Sequence, residues 1–126
     1  NKSSLDHAEM LALRLAMSRF GKERLNGYSM ITTLEPCPMC ASAISLARLT
    51  SIIFSAEDKK SGGIIHGPKI YNSASCHHKP SIIRIDDKGR SKKLLQKFFQ
   101  DKRIKKTNWY CQACTLPFLK VSWALL

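Results

Sequence analysis

Two cysteines and a histidine in this 126-residue chain have the spacing of metal ligands. Cys37 and Cys40 are three residues apart where prolines predict the start of a helix, so both sulfurs are expected on one face, within bonding distance of a single ion. His7, in the first turn of an earlier predicted helix, can supply a nitrogen ligand. Two thiolates and one imidazole leave the fourth position of a tetrahedral site open to water, which is typical of catalytic zinc. The sequence therefore predicts one Zn²⁺ per chain.

Glu9 distinguishes a catalytic zinc site from a structural one. A fourth cysteine or histidine would close the site, whereas a carboxylate beside the bound water can take and return protons. The predicted chemistry is attack by water on a ring carbon that bears an amino group. Glu9 would carry the proton from water to the ring nitrogen and help ammonia leave.

Each part of this pattern has a plainer explanation when it is taken alone. His7 could be a surface histidine, and Cys37-Pro38-Met39-Cys40 could be redox-active or half of a structural zinc site. The proline-rich setting does not resemble the usual place of the redox motif in a thioredoxin-like unit. His-x-Glu followed about 30 residues later by Pro-Cys-x-x-Cys is more specific than its parts, and it resembles the signature of zinc deaminases.

The elements that must position these residues alternate between helix and strand. Helices are predicted over 4–20, with Ser3 or Ser4 as the cap, from Pro36 and Pro38 to about 49, and from 91 to about 106. Strands are predicted over 28–33, 51–55 and 82–85, with a polar loop over 57–67 and a helical turn over 68–72. This order predicts an α/β sandwich layered around a sheet. We expect a deaminase domain over 1–107 and an atypical apolar tail over 108–126.

The chain has a formal net charge of +12, and much of it lies late in the sequence. Eleven Lys or Arg and three Asp lie between Lys79 and Lys106. Such a region attracts phosphate backbones, although a solvated basic surface would have the same composition.

No apolar run is long enough to span a bilayer, and no secretory signal is visible, so we expect a cytoplasmic protein with no membrane partner. The odd count of five cysteines argues against a disulfide framework.

From Leu5 to about Lys106 the chain resembles the cytidine deaminase-like superfamily, and more closely the bacterial tRNA-specific adenosine deaminases. The resemblance rests on His7-Ala8-Glu9-Met10, the segment 33–41, the loop 58–62, Cys76-His77-His78, and Phe98-Phe99 with Lys102-Arg103. It implies a three-layer α/β/α sandwich around a mixed sheet and a homodimer. It also implies adenosine-to-inosine editing of the wobble adenosine in a tRNA anticodon stem-loop, with that base flipped into the pocket.

The resemblance also implies roles for particular residues. His7, Cys37 and Cys40 would be the zinc ligands, with Glu9 as the proton carrier. The expected RNA contacts are Asp58 and Lys60 on a loop against the anticodon, and Phe99, Lys102 and Arg103 on the last helix. Phe98 and Phe99 could instead both be core, Lys102 and Arg103 could only solvate the helix end, and His77 and His78 could be structural.

The chain departs from this family at both ends. The family's N-terminal helix and first two strands, with a substrate-contacting Asn in the following loop, have no counterpart here, and the chain begins at Asn1. We therefore expect a fragment of a longer protein or a degenerate copy, with an unpaired sheet edge and an uncovered sheet face. The segment Trp109–Leu126 has no family counterpart either. Its Cys111 and Cys114 have no evident partner pair and are interpreted as a non-site.

Two other functions compete with tRNA editing. One is a zinc deaminase of a small molecule, such as guanine or a cytosine compound. The other is an inactive, truncated zinc- or RNA-binding relic. The charge of 79–106 and the Phe-Phe-x-x-Lys-Arg segment favour RNA, since an enzyme acting on a free base would need neither.

Overall fold

The structure is a computed structural model that describes residues 3–113, with side chains described as far as residue 103. Its helices are α1 (Ala8–Phe20), α2 (Pro38–Leu46) and α3 (Arg90–Ala113), with a short 3-10 helix at Ile70–Asn72. Its strands are β1 (Ser29–Leu34), β2 (Ser51–Ala56) and β3 (Ser81–Arg84). The chain divides into two compact units, 1–92 and 93–126. The expected division at residue 107 stays a prediction, because 114–126 lie outside the described residues.

The three described strands form one sheet in the order β1-β2-β3. Both pairings are parallel, with Thr32 opposite Phe54 and Phe54 opposite Arg84. The expected α/β fold is confirmed, and each strand lies within about a residue of its predicted bounds. The predicted mixed sheet includes antiparallel pairing, and none occurs among these three strands.

The core is built on the central strand. Ile52 and Phe54 on β2 are completely buried and pack in one cluster with Ile44 of α2. The near-continuous apolar sequence of β2 is typical of a central parallel strand, which is covered on both faces. The edge strand β1 alternates instead, and its Ile31 is 72% exposed. An exposed edge and face therefore remain among the described strands, as the sequence led us to expect.

Four helix boundaries differ from the sequence prediction. The first helix begins at Ala8 rather than near residue 4, and neither Ser3 nor Ser4 is its cap. Ser3 and Asp6 form a turn instead, in which the Ser3 hydroxyl accepts the amide of Leu5 and the Asp6 carboxylate accepts the amide of Ser3. Such local side-chain bonds compete with a helix. His7 thereby becomes the N-cap residue of α1, with extended backbone.

The second helix ends at Leu46 rather than near 49 because Arg48 adopts a left-handed backbone, with φ of 61°. The third begins at Arg90, one residue before the predicted start. There the Asp87 carboxylate accepts the amides of Gly89 and Ser91. It continues to Ala113, beyond the predicted end near 106.

Across 3–113, every helix is too short or too polar to cross a lipid bilayer.

Truncating the core should cost far more than truncating the exposed edge. Phe54→Ala removes a fully buried side chain, so we expect a loss of about 3–5 kcal/mol in the free energy of unfolding. Ile31→Ala, on the exposed face of the neighbouring strand, should change it by less than about 1 kcal/mol. Urea denaturation of both variants measures the difference. Equal losses would contradict the assignment of the core.

Candidate metal centre

The carboxyl ends of the three parallel strands meet at one edge of the sheet, which is where open α/β sheets place their ligand sites. Leu34 ends β1, and three residues later Cys37 occupies the N-cap position of α2. Pro38 follows at the first helical position, where a missing amide proton costs nothing. Cys40 lies within the first turn. This local sequence places both thiols at the start of one helix.

His7 joins these two thiols from the start of α1. Its Nδ1 atom lies 3.5 Å from the sulfur of Cys37 and 3.5 Å from the sulfur of Cys40. All three ligand atoms lie within 4.8 Å of one another. Bonds from zinc of about 2.3 Å to sulfur and about 2.0 Å to nitrogen, at a tetrahedral angle, separate those atoms by roughly 3.5 Å. The observed spacing therefore fits one tetrahedral ion held by three protein atoms.

The burial of the three residues differs. Cys40 is completely buried, Cys37 is half-buried and His7 is exposed. A site with one exposed ligand is open on that side, as a reacting water and a substrate require. The structure thus brings together the three predicted ligands into a group that could hold a metal.

Glu9 lies beside the Cys40 thiol. Burial raises the pKa of Cys40. A hydrogen bond with Cys37 raises it further, as do the negative charge of Glu9 and a hydrogen bond with Glu9. A helix N-terminus by itself lowers the pKa of a thiol, but here burial, Cys37 and Glu9 outweigh that effect. A divalent cation between the donors would reverse the balance, because coordination deprotonates a thiol.

Glu35 is a buried carboxylate that the sequence interpretation missed. One oxygen accepts the amides of Ile64, Ile65 and His66 at 3.2, 2.8 and 2.9 Å. The other oxygen accepts the amide of Asp58 at 3.1 Å and lies 2.8 Å from His66 Nδ1. Burial alone would raise the pKa of Glu35, but the bonds from His66, Ile65 and Asp58 outweigh it and lower the pKa to about 2. The available signal was an acidic residue directly after a strand and directly before Pro36.

The loop bound by Glu35 runs against the metal-ligand turn. The amide of Gly63 donates to the carbonyl of Pro36 at 2.9 Å. A Cβ atom at Gly63 would lie 2.5 Å from the nitrogen of Pro38 and 2.8 Å from the carbonyl carbon of Cys37. Only glycine allows this approach between two backbones.

Asp58 and Lys60 lie on the same loop and line a cleft of about 800 Å³ at the carboxyl ends of β2 and β3. The cleft is lined by both acidic and basic side chains. Arg84 pairs with Glu57, which also lies 3.7 Å from His66. The charged side chains lining it are Glu57, Asp58, Lys59, Lys60, Arg84, Asp86, Asp87 and Lys92.

The remaining predicted RNA contacts lie on α3, in the second compact unit. Phe99 is 54% exposed and packs edge to face with Phe98, the ring centroids being 5.4 Å apart. The amino group of Lys102 lies 5.4 Å from the centre of the Phe98 ring. Lys102 and Arg103 are exposed. Within this unit Phe98 and Phe99 are both exposed, and their assignment as an RNA contact or as core residues stays a prediction.

Cys76-His77-His78, the second cysteine and histidine motif, has a structural role. The Cys76 thiol donates to the carbonyl of His78, and His78 Nε2 lies 2.6 Å from the carbonyl oxygen of Leu49. His78 thereby joins the segment before β3 to the residues between α2 and β2, while His77 is exposed. Cys114 and the side chain of Cys111 lie outside the described residues, and their interpretation as a non-site stays a prediction.

The α/β fold, with an imidazole and two thiols gathered at the starts of two helices, places the chain among cytidine deaminase-like proteins. A solved structure from a study of A-to-I editing by tRNA:A34 deaminases superposes with a TM-score of 0.62 at 40% identity, over 63% of this chain and 61% of that one. The chain belongs to the MafB19-like deaminase family, whose model matches residues 1–103.

Several curated relatives carry the name tRNA-specific adenosine deaminase. The relative from Agrobacterium fabrum is 39% identical over 98 residues, which are 78% of this chain and 64% of that protein. The relative from Rickettsia typhi is 39% identical over 80% of this chain and 68% of its own length. The relative from Aquifex aeolicus is 41% identical over 81% and 67%. The chain thus spans about two thirds of the length of these relatives.

Replacing one ligand should abolish metal binding, whereas replacing a cysteine outside the group should not. Cys37→Ser should lower the affinity for Zn²⁺ or Co²⁺ by more than about a hundredfold, because thiolate ligands supply much of the binding free energy. Cys76→Ser should keep the wild-type affinity, since a hydroxyl can still bond to the carbonyl of His78. Titration with Co²⁺, followed by the thiolate-to-cobalt absorption, measures both. Equal affinity in the two variants would exclude Cys37 as a ligand.

Proposed function

We propose that this chain is a zinc-dependent hydrolase that converts adenosine to inosine at the wobble position of a tRNA anticodon. The observation that carries the proposal is the meeting of His7 Nδ1 with the sulfurs of Cys37 and Cys40 at 3.5 Å, with Glu9 beside Cys40. The names of the relatives and the family match support the reaction class.

His7, Cys37 and Cys40 would hold the zinc ion and leave its fourth position open. A zinc ion held by these three residues would supply the Lewis acidity that makes water a nucleophile at neutral pH. Glu9 would accept the proton that this water gives up. Its carboxyl group would then deliver that proton to the ring nitrogen beside the carbon that carries the amino group. The ring gains one oxygen and loses ammonia, so adenosine and water become inosine and ammonia.

RNA is the proposed substrate because relatives at 39–41% identity carry the name tRNA-specific adenosine deaminase, and the cleft that follows β2 and β3 offers cations beside its four carboxylates. Lys59, Lys60 and Lys92 lie there, where they can contact phosphates, and Asp58 can accept hydrogen bonds from bases or ribose. In the second unit, Phe99, Lys102 and Arg103 offer an exposed ring and two cations, which suits stacking and phosphate contact with single-stranded RNA.

A homodimer and a cytoplasmic location complete the proposal. Large apolar side chains are exposed among the described residues, including Leu46 at 79% and Leu15 at 68%. Exposed apolar surface of this kind favours association with a second chain. A tRNA substrate would place the reaction in the cytoplasm.

Removing the Glu9 carboxylate should separate metal binding from catalysis. Glu9→Ala should retain one zinc per chain and lose inosine formation in an anticodon stem-loop by at least about a hundredfold, because general acid-base catalysis contributes that much. The matched control is Glu23→Ala, at an exposed position between α1 and β1, which should keep wild-type activity. Zinc content and inosine yield are measured for all three proteins. Equal activity in Glu9→Ala and wild type would show that Glu9 is not the proton carrier.

The same assay separates the competing functions. Turnover of free guanine or cytidine, without inosine formation in the stem-loop, would contradict the RNA substrate and favour a small-molecule deaminase. Zinc binding without ammonia release from any of these substrates would contradict catalysis and favour an inactive relic.

A further inference from the structure

The carboxylate of Glu35 connects the two functional regions of the first compact unit. Glu35 lies two residues before Cys37, and its five hydrogen-bond donors belong to the loop from Asp58 to His66. An ionised carboxylate has about four lone-pair positions, so this one is saturated by its donors. Replacing a buried carboxylate of this kind destabilises the protein, because each buried donor that loses its acceptor is left without a hydrogen bond.

Close packing restricts the backbone of the 58–66 loop to one conformation at Gly62 and Gly63. A Cβ atom at Gly62 would lie 2.5 Å from Glu35 Oε1 and 2.5 Å from the carbonyl oxygen of Asp58. The neighbouring Gly63 fits directly against Cys37 and Pro38. Glu35 and the start of α2 therefore bound this loop from two sides.

The loop ends that Glu35 binds determine where the cleft side chains lie. The Asp58 amide donates to Glu35, while the Asp58 side chain accepts the amides of Lys60 and Ser61. The position of Lys60 in the cleft thus depends on Asp58, and that of Asp58 depends on Glu35. His66, at the other end, extends the connection to Glu57 and through it to Arg84.

We propose that Glu35 is a positioning residue that fixes the 58–66 loop, and with it the cleft that receives the RNA backbone, at a set place relative to the metal ligands. This inference rests on the proposed function for the identity of the cleft's ligand. That Glu35 holds the loop in place follows from the hydrogen bonds alone, whatever the ligand of the cleft.

Glutamine at position 35 tests this role with little change in shape. Its carbonyl oxygen can accept the amides of Ile64, Ile65 and His66, but its amide group then points a donor at the Asp58 N–H. The reversed orientation points that donor at the other three amides. Either way the loop loses at least one anchor. Glu35→Asp keeps two acceptor oxygens and only shortens the side chain, so it should recover part of the anchoring.

The experiment compares the wild-type chain of 126 residues with Glu35→Gln, Glu35→Asp and the exposed control Glu23→Gln. Three quantities are measured: zinc content, amide hydrogen exchange of Asp58 and 64–66, and direct binding of an anticodon stem-loop RNA. We expect Glu35→Gln to keep its zinc, to exchange these amides at least about tenfold faster and to bind RNA about tenfold more weakly. Its KM should rise more than its kcat falls. Glu35→Asp should lie between Glu35→Gln and wild type, and Glu23→Gln should equal wild type.

Unchanged exchange and unchanged RNA affinity in Glu35→Gln would overturn the inference. Loss of affinity that merely follows loss of zinc would overturn it as well, because Glu35 would then act on the metal ligands alone. If wild type itself binds no RNA, the proposed substrate fails, while the exchange and zinc measurements still decide whether Glu35 fixes the loop. If Glu35→Gln does not fold, Glu35→Asp against wild type provides the same comparison.

Discussion

The candidate centre depends on bringing together side chains that lie 30 or more residues apart in sequence, at atom separations of a few ångströms. His7 starts one helix, while Cys37 and Cys40 belong to the first turn of another. The parallel pairing of β1 with β2 places the start of α2 at the carboxyl edge of the sheet. The packing of Leu13 of α1 with Ile44 of α2 in the common core then keeps the two helices in contact. Without that core, one nitrogen and two sulfurs could not share one ion.

A second constraint is the carboxylate of Glu35, which binds a loop to the same turn. Buried charge is costly unless it is fully hydrogen-bonded, and five donors meet that condition here. The pair of glycines at 62 and 63 gives the loop the close approach that a side chain would prevent. The turn that carries the metal ligands and the loop that lines the charged cleft are therefore joined by the same hydrogen bonds.

The sequence predicted the ligand group and the strands because both have local signals. Ligand types at helix starts, and short apolar runs such as Ile52 to Phe54, are visible within a few neighbouring residues. The start of α1 was misplaced because the Ser3 and Asp6 side chains bond to nearby amides, and this competition depends on geometry rather than on pattern. The role of Glu35 was missed because its donors lie 23–31 residues away along the chain. Hydrogen bonds to backbone amides so far along the chain leave no signal in the residues next to Glu35.

X-ray absorption at the zinc edge, on wild-type protein loaded with one equivalent of zinc, tests the central claim most directly. Three protein ligands and one open position predict two sulfur atoms at about 2.3 Å, one imidazole nitrogen at about 2.0 Å and one further light atom from solvent. A first shell of four protein ligands would contradict an open, catalytic site. A shell without sulfur would contradict the site altogether.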